Sequence, residues 1–141
     1  MRKIFTLLLV LAIFLCSNSA FPQGSGNEPA NRVIAYYFHT NFRCANCYNM
    51  EKWTKEALDE YFKDDEKNGT LNLQVVNLDV KGNEHFAAEY QLFTKSVVLS
   101  LIKDGKEAKS ANLTKVWDYL GDGKKFKAYI KDEVSKYLKE L

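Results

Sequence analysis

An unbroken apolar and aromatic run at residues 33–38, Val33-Ile34-Ala35-Tyr36-Tyr37-Phe38, lacks the alternation of a half-exposed strand and predicts a central strand covered on both faces. The period then changes. Over residues 47–62 the apolar positions Cys47, Met50, Trp53, Ala57, Leu58, Tyr61 and Phe62 recur at three and four residues, the stripe of an amphipathic helix. Asn68-Gly69 breaks the chain. Residues 71–80, with Leu71, Leu73, Val75, Val76 and Val80, predict a second strand, residues 81–83 a turn, and residues 84–91 a short helix. A helix between two buried apolar strands makes a βαβ unit, whose strands pair in parallel through a right-handed crossover.

Ser96-Val97-Val98-Leu99-Ser100-Leu101-Ile102 predicts a third strand, and Asp104-Gly105 is a two-residue hairpin signal leading into a fourth strand at residues 106–110. The second half therefore adds an antiparallel pair. After Trp117, Tyr119 and Leu120 the chain breaks at Gly121-Asp122-Gly123, where Asp122 is placed to cap a closing amphipathic helix built on Phe126, Ile130, Val134, Tyr137 and Leu138. The expected class is α/β, a central mixed sheet with element order β-α-β-α-β-β-α flanked by helices.

The N-terminus follows a different logic. Met1-Arg2-Lys3 is a basic start, residues 4–15 an apolar stretch, and Ser17-Asn18-Ser19-Ala20 a small-residue cleavage zone, the pattern of an export signal. The apolar stretch is shorter than the roughly 20 residues that span a bilayer. Residues 1–20 are therefore expected to form a cleaved signal peptide, 21–31 a polar linker and 32–141 one domain, in a periplasmic or secreted protein. Lipidation at Cys16 is disfavoured by the bulky Leu15, since bacterial lipoprotein signals carry a small residue before the cysteine.

Charge narrows the partners. The formal charge of +2 falls to zero once Arg2 and Lys3 leave, because residues 1–20 contain no acid. Lysines alternate with acids along residues 51–67 and 124–140, as on solvated helix faces, and this pattern gives no basic stripe suited to nucleic acid.

Loss of Cys16 with the signal leaves Cys44 and Cys47, in Phe42-Arg43-Cys44-Ala45-Asn46-Cys47-Tyr48, between the first strand and the first helix. That placement carries the chemistry. A thiol at a helix N-terminus faces unpaired backbone N–H groups and the positive end of the dipole, which favour the thiolate and hence a nucleophile. The second thiol, one turn along, is within reach of a disulfide with the first. As a structural staple such a bridge is poor, because the stabilisation a disulfide confers grows with the length of the loop it closes. A lone pair of this kind in an oxidising compartment points to a redox-active disulfide.

The element order with Cys-x-x-Cys opening the first helix resembles the thioredoxin fold over residues 33–138, in a minimal form that lacks the extra N-terminal strand and helix of full-length thioredoxin. Tyr37-Phe38-His39-Thr40-Asn41-Phe42-Arg43-Cys44, Gly82-Asn83-Glu84-His85-Phe86 and Val116-Trp117-Asp118-Tyr119-Leu120 further resemble small exported bacterial thioredoxin-like proteins with an Arg-Cys-x-x-Cys site. The resemblance implies thiol–disulfide oxidoreductase chemistry without a cofactor, protein thiols or disulfides as partners, and a monomer. A reduction potential near that of thioredoxin would imply a reductant fed by a membrane electron donor.

Three departures stand out. Thioredoxins place a cis-proline just before the third strand, whereas Thr94-Lys95-Ser96-Val97 contains none. A cis bond without proline costs about 3 kcal/mol, so a trans turn is expected, with Ser96 or Val97 beside the sulfurs. The buried acid of thioredoxins falls on Phe38, which takes no proton, and Ala45-Asn46 replaces Gly-Pro between the cysteines.

Cys44 is the expected attacking thiolate and Cys47 the resolving thiol. Arg43 is a candidate for lowering the Cys44 thiol, and Glu51, four residues after Cys47 on the same helical face, a candidate proton acceptor. His39, in the loop after the central strand, is a candidate for tuning the thiols or joining them on a metal. His85 and the aromatic residues Tyr36, Tyr37, Trp53 and Phe86 read as structural. A second reading keeps the same cysteines as a non-catalytic binding module for a soft metal or metalloid. Four-ligand zinc is disfavoured, since only two cysteines remain.

Overall fold

The computed structural model describes residues 28–141. The predicted signal peptide, Cys16 and the linker up to residue 27 lie outside the described residues. Four strands, β1 (Arg32–His39), β2 (Leu71–Asn77), β3 (Ser96–Lys103) and β4 (Lys106–Asn112), form one sheet in the spatial order β2-β1-β3-β4. β1 pairs with β2 in parallel and with β3 antiparallel, and β3 with β4 antiparallel. The helices are α1 (Ala45–Tyr61), α2 (Lys63–Asn68), α3 (His85–Glu89) and α4 (Gly123–Leu138).

The unbroken run of β1 is explained by two cores. Side chains alternate across a strand, so Val33, Ala35 and Tyr37 enter a cluster with Met50, Ala57 and Leu58 of α1 and Phe126, Ile130 and Val134 of α4. Ile34, Tyr36 and Phe38 enter a second cluster with Val98, Ile102 and the partly buried Phe86 and Tyr90. Both faces must be apolar. The result is the mixed α/β sheet with flanking helices that the sequence pattern predicts, in the order expected for a minimal thioredoxin-like fold.

Two elements escape the periodicity. α2, Lys-Asp-Asp-Glu-Lys-Asn, buries no residue and so has no apolar stripe; its three acids lie in the first turn and Lys67 in the last, as the helix dipole favours. It ends at Gly69, whose φ of 80° is the left-handed C-terminal conformation that glycine adopts without strain. The other is a 3-10 turn at Thr114–Trp117. β2 stops at Asn77, before the predicted residue 80, because the Asn77 side chain accepts the Asp79 N–H at 3.0 Å and turns the chain away. α3 is shorter than predicted for a similar reason. Gln91 takes a positive φ of 50°, and the Leu92 N–H closes back on the Ala87 carbonyl at 2.8 Å.

The other punctuation follows the sequence. Asp104 and Gly105 have φ of 51° and 75°, the paired positive values of a primed hairpin turn. Asp122 caps α4 by accepting the N–H groups of Lys124 and Lys125, each at 3.1 Å. Gly123 lets α4 approach α1 closely: a Cβ there would lie 2.8 Å from the Trp53 ring. Among the described residues no helix is long and apolar enough to cross a membrane.

Candidate active site

The site is built where β1 runs into α1. The intervening loop is held from outside: the Asn41 N–H donates to the Asp79 carboxylate at 2.7 Å, and the Asn77 amide donates to the Asn41 side chain at 2.7 Å. Within the loop the Thr40 hydroxyl donates to the Phe42 carbonyl at 3.1 Å. Cys44 thus arrives as the N-cap of α1 with extended backbone, and its carbonyl accepts from Cys47 and Tyr48 at 2.9 and 3.2 Å.

The two thiols are free and differ in environment. Cys44 is exposed and Cys47 is buried, with the sulfurs in contact, within reach of a disulfide. The Cys44 thiol titrates below the ordinary range because the Cys47 thiol hydrogen-bonds its sulfur; the backbone N–H groups of Cys47 and Asn46 and its own add to that, and burial opposes them. This is a nucleophile and a partner in reach of it.

Arg43 and Glu51 meet each other. The Arg43 guanidinium hydrogen-bonds the Glu51 carboxylate, with its central carbon 4.3 Å from the Tyr48 ring centroid and 5.7 Å from that of Tyr37. Burial disfavours the guanidinium cation, but the contacts with Glu51 and Tyr37 together outweigh this and hold its pKa above the ordinary value. Its Nε is buried without a partner.

His39 is half-buried at the end of β1, with Nδ1 3.0 Å from the Thr40 carbonyl oxygen and its ring stacked on Tyr37. It lines a cavity of about 200 Å³ with Thr40, Leu78, Leu92, Phe93, Thr94 and Lys95. Among the described residues no three His, Cys, Asp or Glu groups converge as metal ligands, so His39 does not join the sulfurs in one cluster. Ser96 donates its hydroxyl to the Thr94 carbonyl at 3.0 Å, within its own turn, and Val97 is buried opposite Tyr37. Among the described residues there is no cis peptide bond, so the turn before β3 is trans. Trp117 braces that turn, its indole N–H donating to the Lys95 carbonyl at 3.2 Å.

Tyr37 is the residue that sequence reasoning placed only in the core. Its side chain is fully buried, but its hydroxyl donates to the Cys47 carbonyl at 2.7 Å. Burial pushes the phenol up to about 12, with Arg43 pulling the other way. The signal available in the sequence was the two hydroxyls, of Tyr36 and Tyr37, in an otherwise apolar run, since a buried phenol needs a partner.

No protein-family model matches this chain, and none of the curated proteins matches it. Among solved structures it is similar to the thioredoxin of Fasciola hepatica, at 27% identity over 64% of this chain and 79% of that one, with a TM-score of 0.37. A Schistosoma mansoni thioredoxin pre-protein matches at 22% identity over 69% of this chain and 81% of that one, with a TM-score of 0.37. Thioredoxin O2 of Arabidopsis thaliana matches at 15% identity over 57% of this chain and 63% of that one, with a TM-score of 0.39. These likenesses are distant, and the fold is established by the chain's own strand order and the helices that flank its sheet.

Proposed function

We propose that this chain is a thiol–disulfide oxidoreductase acting on protein partners through Cys44 and Cys47. The observation that carries the reading is the asymmetry of the pair: an exposed thiol at a helix start, held below its ordinary pKa, against a buried one within disulfide reach. In the reducing direction the Cys44 thiolate attacks a partner disulfide, forming a mixed disulfide as the partner's other sulfur leaves as thiolate. Cys47, having given up its proton, then attacks the Cys44 sulfur and expels the second partner thiolate. Two electrons pass from the dithiol to the partner, and Cys44 and Cys47 end as a disulfide. The opposite direction reverses each step. An export signal at residues 1–20 would place this chemistry in the periplasm or outside the cell, where a reductant needs a membrane electron donor.

Two measurements test this together. Equilibration against glutathione should reveal one two-electron couple, and Cys47→Ser should trap mixed disulfides from an envelope extract whereas Cys44→Ser should not. Equal trapping by both variants would remove the assigned roles. A couple that never closes, with a soft metal held in stoichiometric amount, would favour the binding-module reading instead.

A further inference from the structure

From the ring contacts and the ion pair around the cysteines, we infer that Arg43 and Glu51 form a self-cancelling clamp: the pair fixes the start of α1 beside Cys44 while leaving no net charge to bias the thiols. The inference rests on the oxidoreductase reading and assigns both residues positioning roles within it. Either one alone is a plausible electrostatic actor, Arg43 as a cation next to Cys44 and Glu51 as an anion one turn beyond Cys47. The structure joins them in one ion pair, with the guanidinium against Tyr37 and Tyr48.

Position decides what the pair can do. Arg43 precedes the N-cap and Glu51 lies in the second turn of α1, so their contact ties the incoming loop to the body of the helix. Tyr37 braces the same corner from β1, with its ring near the guanidinium and its hydroxyl on the Cys47 carbonyl. The other charged or titratable groups around this corner are His39, stacked on Tyr37, the Tyr48 phenol, and Lys52 and Lys55 beside the Arg43–Glu51 pair on α1. Lys95 lies over the Phe42 ring, 5.7 Å from its centroid. Lys52 and Lys55 are paired with Glu56 and Asp59, at 3.8 and 3.2 Å. The buried, unpartnered Nε shows that Arg43 is held here by its terminal contacts and ring packing rather than by full solvation.

A charge-cancelling clamp differs in sign from a simple brace. Glu51→Gln frees a cation beside Cys44 and should raise its rate of alkylation about two- to fivefold, the scale of a partly screened charge, at a pH below the thiol's own titration. Arg43→Gln frees an anion and should slow it by a similar factor. The double variant should fall between the two, and Arg43→Lys, which keeps the charge, should stay close to wild type. Single variants that shift the rate in the same direction, or a double variant outside their range, would overturn the clamp. These rates are read on the reduced protein without any partner. A wild-type couple that fails to equilibrate with glutathione would refute the oxidoreductase reading and leave the sign test intact.

Discussion

Tyr37 and Phe38 are consecutive in β1 and both fully buried, yet they point into different halves of the molecule. Phe38 joins Tyr36, Phe86 and Tyr90 in an aromatic layer, stacked on Tyr36 with centroids 5.2 Å apart. Tyr37 faces α1, where its hydroxyl holds the Cys47 carbonyl and its ring meets Arg43. The Phe38 half carries packing alone at this position, while the Tyr37 half carries packing and the polar contacts that shape the thiol site. A single strand thus carries core packing on both faces and the contacts of the thiol site on only one.

The largest effect that probes this difference belongs to Phe38. Phe38→Ala removes a fully buried ring and should cost about 3–5 kcal/mol, read as a lowered urea midpoint. Its folded population should nevertheless alkylate Cys44 at the wild-type rate, and a changed rate would show that the two halves are not separate.

A smaller effect lies on the other face. Tyr37→Phe keeps the ring and deletes the hydrogen bond to Cys47, so it should cost about 1 kcal/mol at neutral pH. Alkali supplies the sharper contrast. The Tyr37 phenol is raised from 10.0 to about 12, so the folded state prefers its neutral form. The stabilisation this gives is full below pH 10 and is lost as pH rises through about 12. Burial raises Tyr36 and Tyr90 as well, so wild type and variant should both weaken in alkali, the variant less steeply. Parallel urea midpoints across that window would contradict the assignment to Tyr37.

The difference between the two faces was only half legible in the sequence. The continuous run at residues 33–38 announced two buried faces, and the Cys47, Met50, Trp53, Ala57 and Leu58 stripe announced the helix that covers one of them. Asp104-Gly105 and Asp122 declared a turn and a cap, because each acts through its own local backbone. α2 stayed hidden because a helix that buries nothing leaves no periodic trace. The Arg43–Glu51 pair stayed hidden for another reason. Eight residues separate the partners, and their meeting depends on how the loop turns the guanidinium toward α1, which neither helical spacing nor composition encodes. Arg43 and Glu51 were each visible as candidates beside a cysteine, but their mutual neutralisation was not.

The central claim is the inequality of Cys44 and Cys47, and the most direct measurement is the pH profile of alkylation in the fully reduced protein, resolved cysteine by cysteine by mass spectrometry. The structure predicts that Cys44 reacts first, with an apparent pKa below that of an ordinary free thiol, while buried Cys47 lags at every pH. Reaction at Cys47 first, or a Cys44 profile at or above the free-thiol value, would contradict it.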